Sequence, residues 1–188
     1  MAYYELHCFS RLFTDVLELG EIPQFDHVES RMSGQPLPAP VPEPVVIPIE
    51  DDGPGEPLEM YELEALIMSG KLLRQLKSAG VDNLEAFRAI LRGDNGRTID
   101  DYFIVNVVGA IACANLEESE YDPPTGRATI NVWFDRLVID EDRAGNTKLF
   151  RLGENLGTIL VHEDVKRHLE DGGFHMLTFR EVPSSVTR

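Results

Sequence analysis

Cysteines, basic residues and long apolar runs are scarce in this sequence. The 188 residues include two cysteines, and 17 lysines and arginines stand against 33 aspartates and glutamates. The longest apolar stretch is far shorter than the roughly 20 residues that cross a bilayer. The N-terminal segment MAYYELHCF has no basic region followed by an apolar one, which a secretory signal would show. We therefore expect a cytoplasmic protein that does not bind membranes.

The two cysteines, Cys8 and Cys113, lie among apolar neighbours. A fold stapled by disulfides usually has more cysteines at regular spacing. Both are therefore predicted to be buried free thiols in a reducing cytoplasm. Cys113 follows Ala112 and precedes Ala114, which favours a tightly packed core position over a nucleophile, since a nucleophile needs a base that lowers its pKa.

Motifs for catalysis and cofactor binding are also missing. There is no P-loop, and Gly153 and Gly157 lack the spacing and context of a dinucleotide-binding loop. No Gly-x-Ser-x-Gly nucleophile elbow is present. His162 and His168 are six positions apart, whereas a metallohydrolase helix places two histidines four apart. We predict no catalytic residue, no cofactor and no metal ligand.

The charge balance is strongly acidic, with a formal net charge of −16 at pH 7. Most of this excess falls within residues 1–60. Such a field repels nucleic acid and anionic membranes, and it accelerates encounter with basic partners. Charge alone is equally compatible with a role in solubility only.

The length favours one domain over residues 1–188. Within it we expect a segment 1–60 that consists of an N-terminal strand at residues 2–8 and a proline-rich extended arm. Residues 61–188 are expected to form the main α/β core.

The arm is the stretch PLPAPVPEPVVIPIEDDGPGEP, residues 36–57, which holds eight of the twelve prolines. Proline has no backbone donor, so this stretch is excluded from helices and central strands. Val45, Val46, Ile47 and Ile49 provide apolar anchors, and we expect the arm to pack along the surface.

A pattern of strand, helix, glycine and strand occurs twice. In ALIMSGKLLRQLKSAG a short apolar strand is followed by Ser69 as a helix N-cap and Gly80 as the helix end, and LEAFRAILR comes next as a strand. TILVHEDVKRHLEDGGFHMLTFREV has the same order, with His162 at the start of the helix. The matching positions are Leu66 with Ile159, Leu72 with Val165, Leu76 with Leu169, and Gly80 with Gly173. We interpret this as a pseudo-repeat of a strand–helix–strand unit.

Two further strands are predicted between these units, at residues 102–114 and 128–139. The first is apolar on both faces, which is typical of a central strand. EYDPPTGR between them and residues 140–148 after them have turn chemistry, and LFRL follows as a strand. The predicted fold is α+β, with a mostly antiparallel sheet and two or more packed helices.

Acidic residues cluster at the end of the first of these strands and again after the second. The first cluster is Glu117, Glu118, Glu120 and Asp122, and the second is Asp140, Glu141 and Asp142. Converging carboxylates can bind Mg²⁺ or act as an acid/base pair. Because both clusters adjoin turn signals, exposed loops or a partner-binding surface are the stronger interpretations.

The order of blocks along the chain resembles a known family. DDYFIVNVVGAI…ESEYD, then FDRLVIDED, then KLFRLGE…ILVHEDVKRHLEDGGFHMLTFREV is similar to the myxobacterial-type immunity-protein family of bacterial polymorphic-toxin systems, formerly a domain of unknown function. The resemblance implies a small cytoplasmic α/β protein, encoded beside a toxin, that binds the toxin and blocks it. It implies no catalytic residues.

Our leading hypothesis is an immunity protein that neutralises a cognate toxin by occlusion, with acidic side chains facing a basic toxin surface. The residues predicted to bind the partner are Glu117, Glu118, Glu120, Tyr121, Asp122, Asp140, Glu141 and Asp142. The alternatives are a carboxylate-dependent, Mg²⁺-assisted hydrolase, which needs both clusters to converge in a pocket, and a non-catalytic adaptor that uses residues 36–57.

Overall fold

Two five-stranded sheets and three helices make up most of the structure, which is a computed structural model. It describes residues 2–9, 16–25, 32–38, 40–50, 55–122 and 132–185. The elements are β1 Tyr3–Cys8, β2 Val45–Pro48, β3 Met60–Glu62, β4 Leu66–Ser69, α1 Gly70–Ser78, β5 Leu84–Arg92, β6 Thr98–Val107, β7 Ala110–Ile111, β8 Glu120–Tyr121, β9 Phe134–Arg136, α2 Glu141–Ala144, β10 Leu149–Leu152, β11 Asn155–His162, α3 Glu163–Asp171 and β12 Leu177–Val182.

The strand order is β2-β5-β6-β4-β3 in one sheet and β12-β1-β11-β10-β7 in the other. Neighbouring strands are antiparallel except for β2 with β5 and β10 with β7, which are parallel. Strands β8 and β9 form a separate two-stranded antiparallel ribbon. The predicted α+β fold with a mostly antiparallel sheet is confirmed.

The pseudo-repeat is confirmed as two split strand–helix–strand units. The first unit consists of β4, α1 and β5. Strand β6 lies between β4 and β5 and pairs with both. The second unit consists of β11, α3 and β12, and β1 lies between β11 and β12 in the same way. The middle strands come from different places along the chain, because β6 directly follows β5 whereas β1 precedes all other elements.

Helices α1 and α3 are capped by the residues that the sequence predicts. The Ser69 hydroxyl accepts a hydrogen bond from the Leu72 amide, and Nδ1 of His162 accepts one from the Asp164 amide. Beyond the helix ends, Gly80 and Gly173 have φ of 88° and 69°, a region that glycine adopts without strain.

The apolar faces of both helices meet in one core between the sheets. Leu72 and Leu76 of α1 are fully buried there with Val165 and Leu169 of α3. Burying a side chain of this size stabilises the fold by about 1.5–3 kcal/mol relative to exposure. This shared core joins the two units to each other.

The prediction of one strand over residues 102–114 is wrong. β6 ends at Val107, and the chain turns at Gly109, whose φ is 117°. The next strand, β7, belongs to the other sheet. An apolar run therefore passes through both sheets, although β6 itself lies at the centre of its sheet as predicted.

The prediction of a strand over residues 128–139 is also largely wrong. Only β9 forms in its described part, and Ile139 makes isolated bridges to Ala114 and Ser184. Residues 123–131, with most of the predicted turn before this strand, lie outside the described residues. The predicted turn at residues 140–148 contains the short helix α2, because Asp140 caps it by accepting from the amides of Asp142 and Arg143.

The proline-rich arm is partly built into a sheet. β2 pairs with β5 at the edge of its sheet, so the exclusion of a central strand is confirmed. Val45, Ile47 and Ile49 are buried in a second core, which is deeper than packing along the surface would place them. Residues 39 and 51–54 of the arm lie outside the described residues.

A partly exposed ionic contact between His7 and Glu62 connects the two sheets. Nε2 of His7 on β1 lies 3.2 Å from Oε2 of Glu5, and Nδ1 lies 3.5 Å from Oε1 of Glu62 on β3. Glu5 also accepts a hydrogen bond of 3.0 Å from Nε of Arg180. The bonds to Glu5 and Glu62 raise the pKa of His7 to about 9.

The free energy of unfolding is expected to depend on the protonation of His7. Because the folded-state pKa is raised from 6.5 to about 9, the stabilisation is complete below pH 6.5 and is lost as the pH rises through 9. The slope from this one proton is at most about 1.4 kcal/mol per pH unit. Urea unfolding of the wild-type protein across this range should show the fall, and the His7→Gln variant should lack it. Equal slopes in the two proteins would contradict the assignment.

Candidate functional site

The two acidic clusters lie side by side. The amide of Asn115 donates to the Val138 carbonyl at 2.8 Å, and the amide of Asp140 donates to the Cys113 carbonyl at 2.8 Å. Ala114 and Ile139 form the antiparallel bridge between these bonds. We call this contact the 113–140 clasp, and we call residues 115–122 the acidic turn. The clasp brings the acidic turn next to the start of α2.

Asn115 organises the acidic turn. Its side-chain oxygen accepts from the amides of Glu117 and Glu118 at 3.1 and 3.3 Å, and its amide nitrogen donates to Glu118 Oε1 at 3.1 Å. The predicted residues Glu117, Glu118, Glu120 and Asp122 are all exposed. Nearly all the negative charge of the turn therefore faces solvent.

Tyr121 and Glu120 form β8 and pair with β9. The Tyr121 ring is half-buried and lies 5.8 Å from the Phe134 ring, centroid to centroid. Glu120 is 4.0 Å from the Arg136 guanidinium in an exposed ion pair, and such pairs contribute little to stability. Tyr121 thus supports the ribbon, while Glu120 is open to a partner.

The second cluster is divided between structure and surface. Asp140 caps α2 and its Oδ2 lies 3.1 Å from Nε of Arg143, so this carboxylate is already engaged. Glu141 is half-buried, and Asp142 is exposed. Of the three predicted residues, Asp142 is the most open to a partner.

A pocket of about 430 Å³ opens between the two clusters. It is lined by Ala114, Asn115, Leu116, Glu117, Asp140, Arg143 and Glu154. Glu154 Oε1 accepts from the Ala114 amide at 3.3 Å, whereas Oε2 is buried and has no hydrogen-bond partner. Burial raises the pKa of Glu154. The sequence does not reveal this residue as part of the site, because Glu154 reaches it through a contact with Ala114, 40 positions away along the chain.

Two large apolar side chains are exposed beside the acidic residues. Trp133 next to β9 is 70% exposed and Leu116 in the acidic turn is 44% exposed. The sequence reasoning missed both. No sequence signal marked Trp133, because its neighbours Val132 and Phe134 are also apolar, and only the structure shows that they are buried while the indole is exposed.

A family comparison decides how this site is interpreted. The model of the immunity protein family (Imm11) matches residues 18–184 of the 188. The chain belongs to the Imm11 immunity protein family. This confirms the resemblance to an immunity-protein family. A search of the curated proteins finds no match to the chain.

Within the described part of the chain, the acidic clusters of this Imm11 protein meet the requirements of a Mg²⁺-dependent hydrolase only in part. Glu117, Asp140 and Glu154 line one pocket, so the convergence that a hydrolase requires is met in part. Arg143 ion-pairs with Asp140 there, and among the described residues no group of three histidines, cysteines or acids is placed to hold a metal ion. The geometry therefore gives no support to Mg²⁺-assisted hydrolysis.

The histidines considered as ligands have other partners. His162 caps α3, as the sequence predicts. Nε2 of His168 lies 2.7 Å from the Ser78 hydroxyl, which connects α3 to α1. Both side chains serve the packing of the helices.

No helix in the described part of the chain is long and apolar enough to cross a membrane.

Both cysteines of the immunity protein are free and buried, as predicted. Burial raises the pKa of Cys8 to about 11, and burial together with nearby Glu154 and Asp140 raises the pKa of Cys113 to about 12. A thiol with such a pKa is almost entirely protonated at neutral pH, so it is a poor nucleophile.

Neither thiol should react with iodoacetamide in the folded protein at pH 7.5. Both should react once the protein is unfolded in guanidinium chloride, because unfolding removes the burial that raises their pKa values. Mass spectrometry counts the added groups in each state. Rapid labelling of Cys113 in the folded protein would contradict the buried assignment.

Proposed function

We propose that this immunity protein neutralises its cognate toxin by binding it through one surface, which we call the acidic face. The acidic face comprises the acidic turn, the start of α2 and the pocket between them. Three observations support the proposal: the family, the grouping of exposed carboxylates by the 113–140 clasp, and the apolar side chains beside them.

Electrostatic attraction brings the partners together in this mechanism. Four exposed carboxylates of the acidic turn, reinforced by a net charge of −16, attract a basic toxin surface. Charge of this kind mainly increases the association rate and selects the partner. It also disfavours nucleic acid, which is itself anionic.

Contacts between apolar side chains of the two proteins slow the dissociation of the complex in this mechanism. Interfaces concentrate their binding energy in a few central residues, among which tryptophan is enriched, and a charged rim surrounds them. Leu116 lies within the acidic turn, and Trp133 lies beside it on the ribbon. The bound immunity protein blocks the toxin by covering its surface in the cytoplasm of the producing bacterium.

Reversal of charge on the acidic turn should slow toxin binding. In the triple variant E117K/E118K/E120K, the association rate constant for the toxin domain encoded by the neighbouring gene should fall at least about tenfold at low salt. The matched control is E18K/E21K/D94K, which changes the net charge equally at exposed positions associated with the other sheet. The control should lose much less. Binding kinetics on an immobilised toxin domain measure both.

Co-expression tests the role in the cell. The wild-type gene should protect a bacterium that expresses this toxin domain, and E117K/E118K/E120K should protect it less than the control does. No binding and no protection by the wild-type protein would refute the proposed function. A complex that survives about 1 M salt, where charges are screened beyond about 3 Å, and also survives reversal of both clusters would refute the electrostatic mechanism alone.

A further inference from the structure

The face of the β8–β9 ribbon that carries Trp133 has the chemistry of a receptor for one cationic side chain. We propose that Trp133 is the anchor of the toxin interface, and that its indole receives an arginine or lysine of the toxin between the carboxylates of Asp122 and Asp135. This inference rests on the proposed function and names the part of the acidic face that contributes most to affinity.

The backbone places these three residues together. The Asp122 amide donates to the Trp133 carbonyl at 3.2 Å, so the two residues are neighbours across the ribbon. Asp135 follows Trp133 by two positions, and both residues are exposed while Phe134 between them is buried, which places them on the same side of the chain. The pairing of β8 with β9 skips Asp135, which bulges from the ribbon next to the indole-bearing residue. Asp122 and Asp135 are both exposed.

The indole of Trp133 is unusually open for so large an apolar group. It is 70% exposed, while Val132 and Phe134 on the opposite face are buried in a core. The buried pair fixes the strand, so the indole is held outwards by packing that it does not take part in. An exposed apolar side chain rimmed by polar residues marks an interaction site.

A cation suits this setting better than an apolar ligand does. The face of an aromatic ring attracts cations, and tryptophan attracts them most strongly. The two neighbouring carboxylates add formal negative charge, and no ion pair between described residues engages either of them. The cation–ring contacts found within the described residues lie elsewhere, at Phe174, Tyr4 and Phe179.

The net charge of the chain favours a basic toxin over a second copy of the chain as the partner that covers Trp133. A second copy carries the same charge of −16 and would bring like charges together at this face. A basic toxin surface matches both the carboxylates and the indole. The occupant is therefore the toxin, through an arginine or lysine side chain.

Trp133 is the single tryptophan of the chain, so its indole N–H gives one resonance that reports directly on this face. The first probe is a tryptophan-free hexa-arginine peptide added to ¹⁵N-labelled protein, with a hexa-citrulline peptide as the uncharged control. The indole resonance should shift saturably with the arginine peptide and remain in place with citrulline. The D122N/D135N variant should bind the arginine peptide several-fold more weakly.

The second experiment uses the toxin domain that binds the wild-type protein. Trp133→Ala should raise its Kd at least about tenfold, and Trp133→Phe should recover part of the loss, because phenylalanine retains a weaker ring for the cation. Phe9→Ala is the matched control, since Phe9 is another exposed aromatic residue, stacked on His7. This control should leave the Kd unchanged, and circular dichroism should show that all three variants remain folded.

The outcomes separate the two proposals. Unchanged toxin affinity in folded Trp133→Ala would overturn this inference while leaving the proposed function standing. An indole resonance that moves with protein concentration alone would also overturn it, because a second copy would then occupy the face. A wild-type protein that binds no toxin domain and gives no protection would overturn the proposed function itself.

Discussion

Packing of α1 against α3 between the sheets is the constraint on which the other features depend. Each helix belongs to a split unit in which a middle strand separates the two strands that the helix connects. Leu72 and Leu76 from one unit and Val165 and Leu169 from the other close a single apolar core. β11 contributes Val161 to this core and Leu160 to the separate cluster around Ala114 and Ile139, so the second sheet connects the core to the elements that carry the acidic face.

Under the proposed function, the acidic face exchanges local stability for recognition of the toxin. The 113–140 clasp places two groups of carboxylates next to each other, and like charges at short range repel. Backbone bonds, the Asn115 side chain and the Asp140–Arg143 pair hold them in place. A basic partner would relieve the repulsion, so charge that is unfavourable in the free protein favours the complex.

Features specified by neighbouring residues could be predicted from the sequence. Ser69, His162, Gly80 and Gly173 mark helix ends because capping and positive φ depend on a few adjacent residues. The repeat was detectable for the same reason. The apolar run from residue 102 to 114 was misassigned, because its periodicity does not reveal that the chain changes sheets at Gly109. The meeting of the two acidic clusters and the contribution of Glu154 depend on distant backbone pairing, which no local pattern contains.

The origin of the two middle strands has a consequence for how the chain folds during synthesis. β6 follows β5 directly, so the first unit closes from contacts that are near in sequence. In the second unit Tyr3 pairs with His162 and Val182, and this pairing must wait until β11 and β12 have left the ribosome. Contacts so distant in sequence form late, because the entropy of closing a long loop opposes them. The first unit can thus serve as a template while β1 remains without partners. The sheet next to the acidic face is completed only after β12 has been made, so the proposed interface would become competent for binding later than the first unit becomes folded.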